Sequence, residues 1–134
     1  VTDSVETPIM ADESVFSPAQ AFEVLKHRAA DLINIKLMKS GGIYKAQIIN
    51  HIAEEFGVEC MVGSMIESRV AVTAAAHLAA SKKNITRFDF DAPLMMLNDI
   101  VIGGVKYDGR MMTFPKEAGL GIRDVVPSES VVGS

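Results

Sequence analysis

The 134-residue chain has a single cysteine, Cys60, and that scarcity excludes an internal disulfide and the cysteine-rich zinc sites. It also lacks an excess of positive charge. Thirteen Lys and Arg stand against 17 Asp and Glu, a formal net charge of −4, which excludes a nucleic-acid footprint and a polybasic membrane patch. Long apolar runs are missing too. Although 49% of residues are hydrophobic, no stretch reaches the roughly 18–20 residues of a membrane span. GxGxxG and P-loop patterns are absent, so Gly41-Gly42 and Gly103-Gly104 mark no phosphate-binding loop. His27, His51 and His77 pair with no His or carboxylate in a metal-ligand pattern, and each reads as a core or surface residue of a helix. The chain opens on Val1 with neither an initiator Met nor a signal peptide. The expectations are a reducing cytoplasmic setting and a piece of something longer.

What the chain does hold is Ala, Val, Ile and Met spread through short runs suited to a core. Residues 7–13 (TPIMADE) are a short apolar run turning acidic. Ser17-Pro18-Ala19-Gln20 starts a helix: Ser17 caps, Pro18 suits the first helical position and Gln20 completes a capping box. Phe22, Leu25 and Ala29 give it a buried stripe. Residues 32–37 (LINIKL) read as a strand, broken by Ser40-Gly41-Gly42. Residues 43–56 form an amphipathic helix with Ile43, Ala46, Ile49, Ile52, Ala53 and Phe56 on one face and Gly57 after it. Residues 59–65 (ECMVGSM) are a short buried strand with Cys60 as a small core residue. Residues 68–83 are an Ala-rich helix, apolar nearly all round and so buried on more than one side. Residues 87–91 (RFDFD) are the fourth strand.

Short buried strands alternating with helices mean parallel βαβ units. Strand ends at Asp12, Lys36, Met65 and Asp89 lie 24, 29 and 24 residues apart, a pitch that fits a (β/α) barrel better than an open sheet. The fold class is therefore α/β: about four strands and helices of a TIM-type barrel, over residues 1–92. About 250 residues is typical of a whole barrel, so this is roughly half. Residues 93–122 form an antiparallel hairpin segment, with residues 101–107 and 110–114 flanking Asp108-Gly109. Residues 123–134 are expected to be a disordered tail.

In a parallel barrel the polar residues at C-terminal strand ends are the functional candidates. Asp12-Glu13 is either a strand-to-loop carboxylate pair aiding the next helix or a source of oxygen ligands for a hard divalent cation. Lys36, between Ile35 and Leu37 on a central strand, is suited to general base chemistry if burial beside a cation lowers its pKa. Lys39 reads as an exposed loop lysine. Ser64 and Met65 are candidates for a pocket wall, and Glu67 is either a pocket residue or, the favoured reading, the acidic first turn of the next helix. Asp89 and Asp91, two apart on a strand, share a face with Phe90 on the other. Two facing carboxylates repel unless a metal or an ammonium joins them.

These strand ends resemble the second half of an enolase-superfamily barrel of the mandelate racemase/muconate-lactonizing-enzyme kind. Within it they are similar to dipeptide epimerases of the L-Ala-D/L-Glu type. The matching stretches are PIMADES (8–14), DLINIKLMKSGGI (31–43), ECMVGSMIES (59–68), RFDFDAPL (87–94) and GLGI (119–122). The resemblance implies that Asp12 is a Mg²⁺ ligand, that Lys36 is one of two acid/base lysines, and that Asp89 and Asp91 bind the dipeptide's α-ammonium. The implied reaction is a 1,1-proton transfer at the α carbon of the second residue, through an enediolate held by Mg²⁺.

The second lysine, the other metal ligands and the capping domain of that family have no counterpart in these residues. The chain alone is expected to be inactive and to need a missing N-terminal half. Two other readings stand beside this one. One is a muconate cycloisomerase-like or succinylbenzoate synthase-like enzyme, whose substrates carry no ammonium. The other is a non-catalytic, self-associating half-barrel. Exposed edge strands point to a homo-oligomer or to pairing with the other half.

Overall fold

A computed structural model describes residues 1–96 and 98–126. Its centre is a parallel sheet in which each strand pairs with the one made before it: β1 (Met10–Ala11), β2 (Leu32–Lys36), β3 (Cys60–Gly63) and β4 (Ile85–Asp89). The register sets Ala11 beside Ile33, Lys36 beside Gly63, and Gly63 beside Asp89. All four strands therefore end at one edge of the sheet.

Between them run α1 (Pro18–Lys26), the single turn α2 (Leu37–Ser40), α3 (Ile43–Glu55) and α4 (Arg69–Ser81). Ser17 Oγ accepts the Gln20 N–H at 3.3 Å, as its capping role demands. The Gln20 side chain does not close a reciprocal box. It reaches one residue further back and accepts the Phe16 N–H at 2.8 Å. Gly41, at φ +78°, stops α2 after one turn in a conformation that side chains rarely adopt.

The core lies between the sheet and the helices. Ile33, Ile35, Cys60 and Val62 point to Leu25, Ala46, Ile49, Ala53, Val72 and Leu78, all buried. The strand period leaves Leu32, Asn34 and Lys36 on the opposite face of β2. Two expected stripes are shorter than their sequence pattern. Phe22, Ala29, Ile43 and Phe56 are exposed, and Phe22 meets Phe56 edge to face at 5.9 Å beyond the reach of the sheet. Helix α4 is buried on two sides, as its composition implies, with Val72, Thr73, Ala75, Ala76 and Leu78 all enclosed.

The fourth strand begins and ends two residues earlier than its sequence suggests. Pairing with β3 aligns Ile85 with Cys60 and Asp89 with Gly63, and β3 offers no partner beyond that point. Asp91 instead precedes a 3-10 turn at Ala92–Met95.

The remaining segment holds two small antiparallel ribbons. β5 (Val101–Gly103) pairs with β8 (Ile122–Val125), and between them β6 (Lys106–Asp108) pairs with β7 (Met111–Thr113). The hairpin turn is Gly109-Arg110, one residue later than expected from Asp108-Gly109. Gly109 takes φ +56° at the first loop position and Arg110 does not follow it, the pattern of a type II′ turn. The segment expected as a tail from residue 123 begins as strand: residues 123–125 belong to β8, because β5 supplies them a hydrogen-bonding partner. Residues 127–134 lie outside the described residues. The segment is stitched to α4 where the buried Val105 N–H donates to Thr73 Oγ1 at 3.1 Å. Gly104 permits this approach: a Cβ there would fall 2.6 Å from Thr73 Oγ1 at φ +76°. No described helix is long and apolar enough to cross a membrane.

Candidate active site

The strand ends converge at the edge where β1 to β4 stop. Asp12 follows β1 directly, Lys36 ends β2, Ser64 follows β3 and Asp89 ends β4. Asp12 and Lys36 are in contact: Lys36 Nζ donates to Asp12 Oδ2 at 2.9 Å. A second cation, Lys39, shares the Asp12 carboxylate. It is no exposed loop residue: its side chain is 4% accessible, and Nζ donates at 2.6 Å to both Asp12 Oδ1 and the Asp12 carbonyl. One turn of helix explains this, since residues three apart share a side and α2 carries Lys39 back over the strand end occupied by Lys36. The signal available beforehand was the Gly41-Gly42 stop, which limits α2 to that turn.

The Asp12 carboxyl feels opposing influences. Burial pushes its pKa up, but the hydrogen bonds and charges of Lys39 and Lys36 outweigh burial and hold it below the ordinary carboxylate value. Both carboxylate oxygens are thus engaged by ammonium groups. Among the described residues no group of three or more His, Cys, Asp or Glu side chains is placed to hold a metal ion. Asp12 with two lysines is not by itself a magnesium site, since a hard dication needs several oxygen ligands.

At the far edge, Ser64 Oγ donates to the Asp89 carbonyl at 3.4 Å. Met65 is half-buried, and its backbone N–H donates to Glu67 Oε1 at 2.8 Å. Glu67 is buried and precedes α4, so it latches the β3–α4 loop rather than serving as an acidic first turn. Asp89 and Asp91 are both exposed, on either side of the buried Phe90. With Leu94, Tyr107, Arg110 and Met112 they line a cavity of about 400 Å³. Sequence reasoning did not find the last three, because the hairpin reaches β4 only through tertiary folding. Tyr107 Oη anchors it by donating to the Phe90 carbonyl at 2.6 Å, and burial pushes the Tyr107 phenol up. Cys60, away from this edge, is buried with its thiol pushed up to about 12 by burial and then by the charge of Glu54. It is chemically inert there.

The arrangement can do two things. A half-buried lysine beside a carboxylate can move a proton at the centre of the strand ends, and a pair of exposed carboxylates about one β4 end can hold a cationic group.

Comparison with known proteins gives a consistent picture. Residues 1–124 match the family described as enolase C-terminal domain-like. The chain is 66% identical over 122 residues to the L-Ala-D/L-Glu epimerase of Bacillus subtilis (strain 168), covering 91% of this chain and 33% of that protein. A substrate-liganded structure of the Bacillus subtilis L-Ala-D/L-Glu epimerase superposes with a TM-score of 0.90 at 63% identity, over 93% of this chain and 35% of that one. A dipeptide epimerase from Enterococcus faecalis V583, solved with Mg and the dipeptide L-Leu-L-Tyr, gives 0.88 at 49% identity, over 92% and 36% of the two chains. The chain thus spans about a third of the length of these relatives.

Proposed function

The chain belongs to the enolase C-terminal domain-like family, and from that premise we propose that it forms part of a dipeptide epimerase, an isomerase of the enolase superfamily. The observation that carries the reading is the placement of Lys36 on Asp12 at the centre of one sheet edge, with Asp89 and Asp91 at the end of β4 along the same edge. Lys36 Nζ exchanges a proton with the α carbon of the dipeptide's second residue from one face. Asp89 and Asp91 hold the α-ammonium, and Ser64 and Met65 line the wall between. The second base, acting from the other face, comes from outside this chain.

Mg²⁺ is the implied metal, and relatives solved with Mg and a dipeptide support it. It would hold the substrate's terminal carboxylate and offset the charge that develops beside it. Asp12 would supply one ligand, and the other ligands would come from outside this chain. A four-stranded sheet with two open edges needs further strands to close a barrel, so an N-terminal barrel half is the required partner.

The test follows deuterium incorporation at the second α carbon of Ala-Glu dipeptides in D₂O, using the intact protein that contains this chain. Wild type is expected to exchange and epimerise. Lys36→Ala is expected to lose about two to four orders of magnitude in rate, as removal of a general acid/base does. Asp89→Asn is expected to lose most turnover while keeping its fold. Unchanged turnover in Asp89→Asn would favour substrates without an ammonium, of the muconate or succinylbenzoate kind. This chain without its partner half is expected to be inactive, and robust exchange by it alone would overturn the half-site reading.

A further inference from the structure

Gly63 ends β3 directly beside Lys36 in the parallel pair. It is ordinary strand, without the positive φ of the loop glycines, so no backbone demand explains a glycine here. Space does. A Cβ on Gly63 would lie 2.9 Å from Asn34 Oδ1, 3.2 Å from Asn34 Nδ2 and 3.4 Å from Lys36 Cε. The first distance is a collision and the last is ordinary contact. Asn34 and Lys36, two apart on one face of β2, therefore lean over the same notch. Asn34 is 6% exposed, and its Oδ1 is buried without a hydrogen-bond partner. Nothing bonded to that oxygen holds the amide in place, so its position rests on packing into the space that Gly63 leaves.

We propose that Gly63 and Asn34 are positioning residues for Lys36: the notch at Gly63 seats the Asn34 amide, and the seated amide sets how the Lys36 stem lies across β3. The inference rests on the acid/base role proposed for Lys36. A methyl group at 63 displaces the amide, and the third atom it meets is Lys36 Cε at 3.4 Å, so the displacement falls where the lysine stem lies. Proton transfer is sensitive to such displacement, while substrate affinity, set mostly at the other strand ends, is not.

The experiment uses the intact protein and compares Gly63→Ala, Asn34→Ala and the double variant in a steady-state epimerisation assay, with thermal unfolding alongside. Gly63→Ala is expected to lower kcat by at least about tenfold with KM within about threefold, the signature of lost orientation rather than lost binding. Removing the amide empties the space that the new methyl takes, so the double variant is expected to match Asn34→Ala within about threefold. A role in packing alone would lower the unfolding midpoint and leave kcat in place. Asn34→Ala is likewise expected to lower kcat with KM little changed, and full kcat in Gly63→Ala, full kcat in Asn34→Ala, or a double variant more than about threefold slower than Asn34→Ala would overturn the proposal. Should Gly63→Ala fail to fold, the double variant decides: turnover equal to that of Asn34→Ala supports the notch, and its loss refutes it. Lys36→Ala in the same assay keeps the two claims apart, because full turnover there refutes the role of Lys36 whatever Gly63 does.

Discussion

Asp12 is held by two ammonium groups at once, and the partners are unequal in burial: Lys39 is 4% exposed, Lys36 14% and Asp12 itself 39%. Removing the carboxylate therefore strands a buried cation, whereas removing Lys39 leaves Asp12 another partner and partial hydration. In the absence of divalent metal, Asp12→Ala is expected to cost about 2 kcal/mol, less than the roughly 3–5 kcal/mol of a fully buried broken pair. Lys39→Met should cost well under half of that, because an apolar replacement needs no counter-charge. Urea unfolding compares them, and equal losses would refute the asymmetry. The pH dependence has a definite sign. The Asp12 pKa is lowered in the folded chain, so its contribution is full above the ordinary carboxylate range of about 4 and disappears as pH falls through the lower folded value. Asp12→Asn should flatten this acid limb of the stability curve, measured with chelator present, and an unchanged limb would assign it to other carboxylates.

At the scale of elements, the hydrogen bond from Val105 to Thr73 is the stitch between the barrel helices and the C-terminal ribbons. Thr73→Val keeps the shape, removes the acceptor and leaves a fully buried N–H unpaired, an expected loss of about 1–3 kcal/mol in thermal unfolding. A loss below about 0.5 kcal/mol would mean that the N–H finds another partner. The elements themselves differ in how far they could be read beforehand. The βαβ series was legible because apolar spacing and the Ser17 and Gly57 end signals are local. The exposure of Phe22, Ile43 and Phe56 was not, because a periodic stripe does not record where the opposing sheet stops. Among the candidate site residues, Lys36 declares itself by its place between Ile35 and Leu37 in apolar strand sequence, and Asp89 and Asp91 by their spacing about Phe90. Lys39 does not, since its burial depends on where Asp12 lies, 27 residues earlier. The pairing of β5 with β8 also has no local signature, as it joins segments about the hairpin and carries a register shift at Ile102 and Gly103.

For the whole molecule, the open edges at β1 and β4 and the exposed Phe88, Leu94 and Met95 set the association behaviour. The chain produced alone is expected to self-associate, and the addition of the proposed N-terminal half should return it to a defined species, as read by size exclusion with light scattering. A clean monomer with cooperative unfolding would contradict this. The strand order has a further consequence, which concerns synthesis. Because β2, β3 and β4 each pair with the strand made just before them, each of these three finds its neighbour already present on leaving the ribosome, and the sheet can grow one βαβ unit at a time. The β5–β8 ribbon behaves differently: β5 must wait for β8, made after the β6–β7 hairpin, so it is the last of the described strand pairings to form.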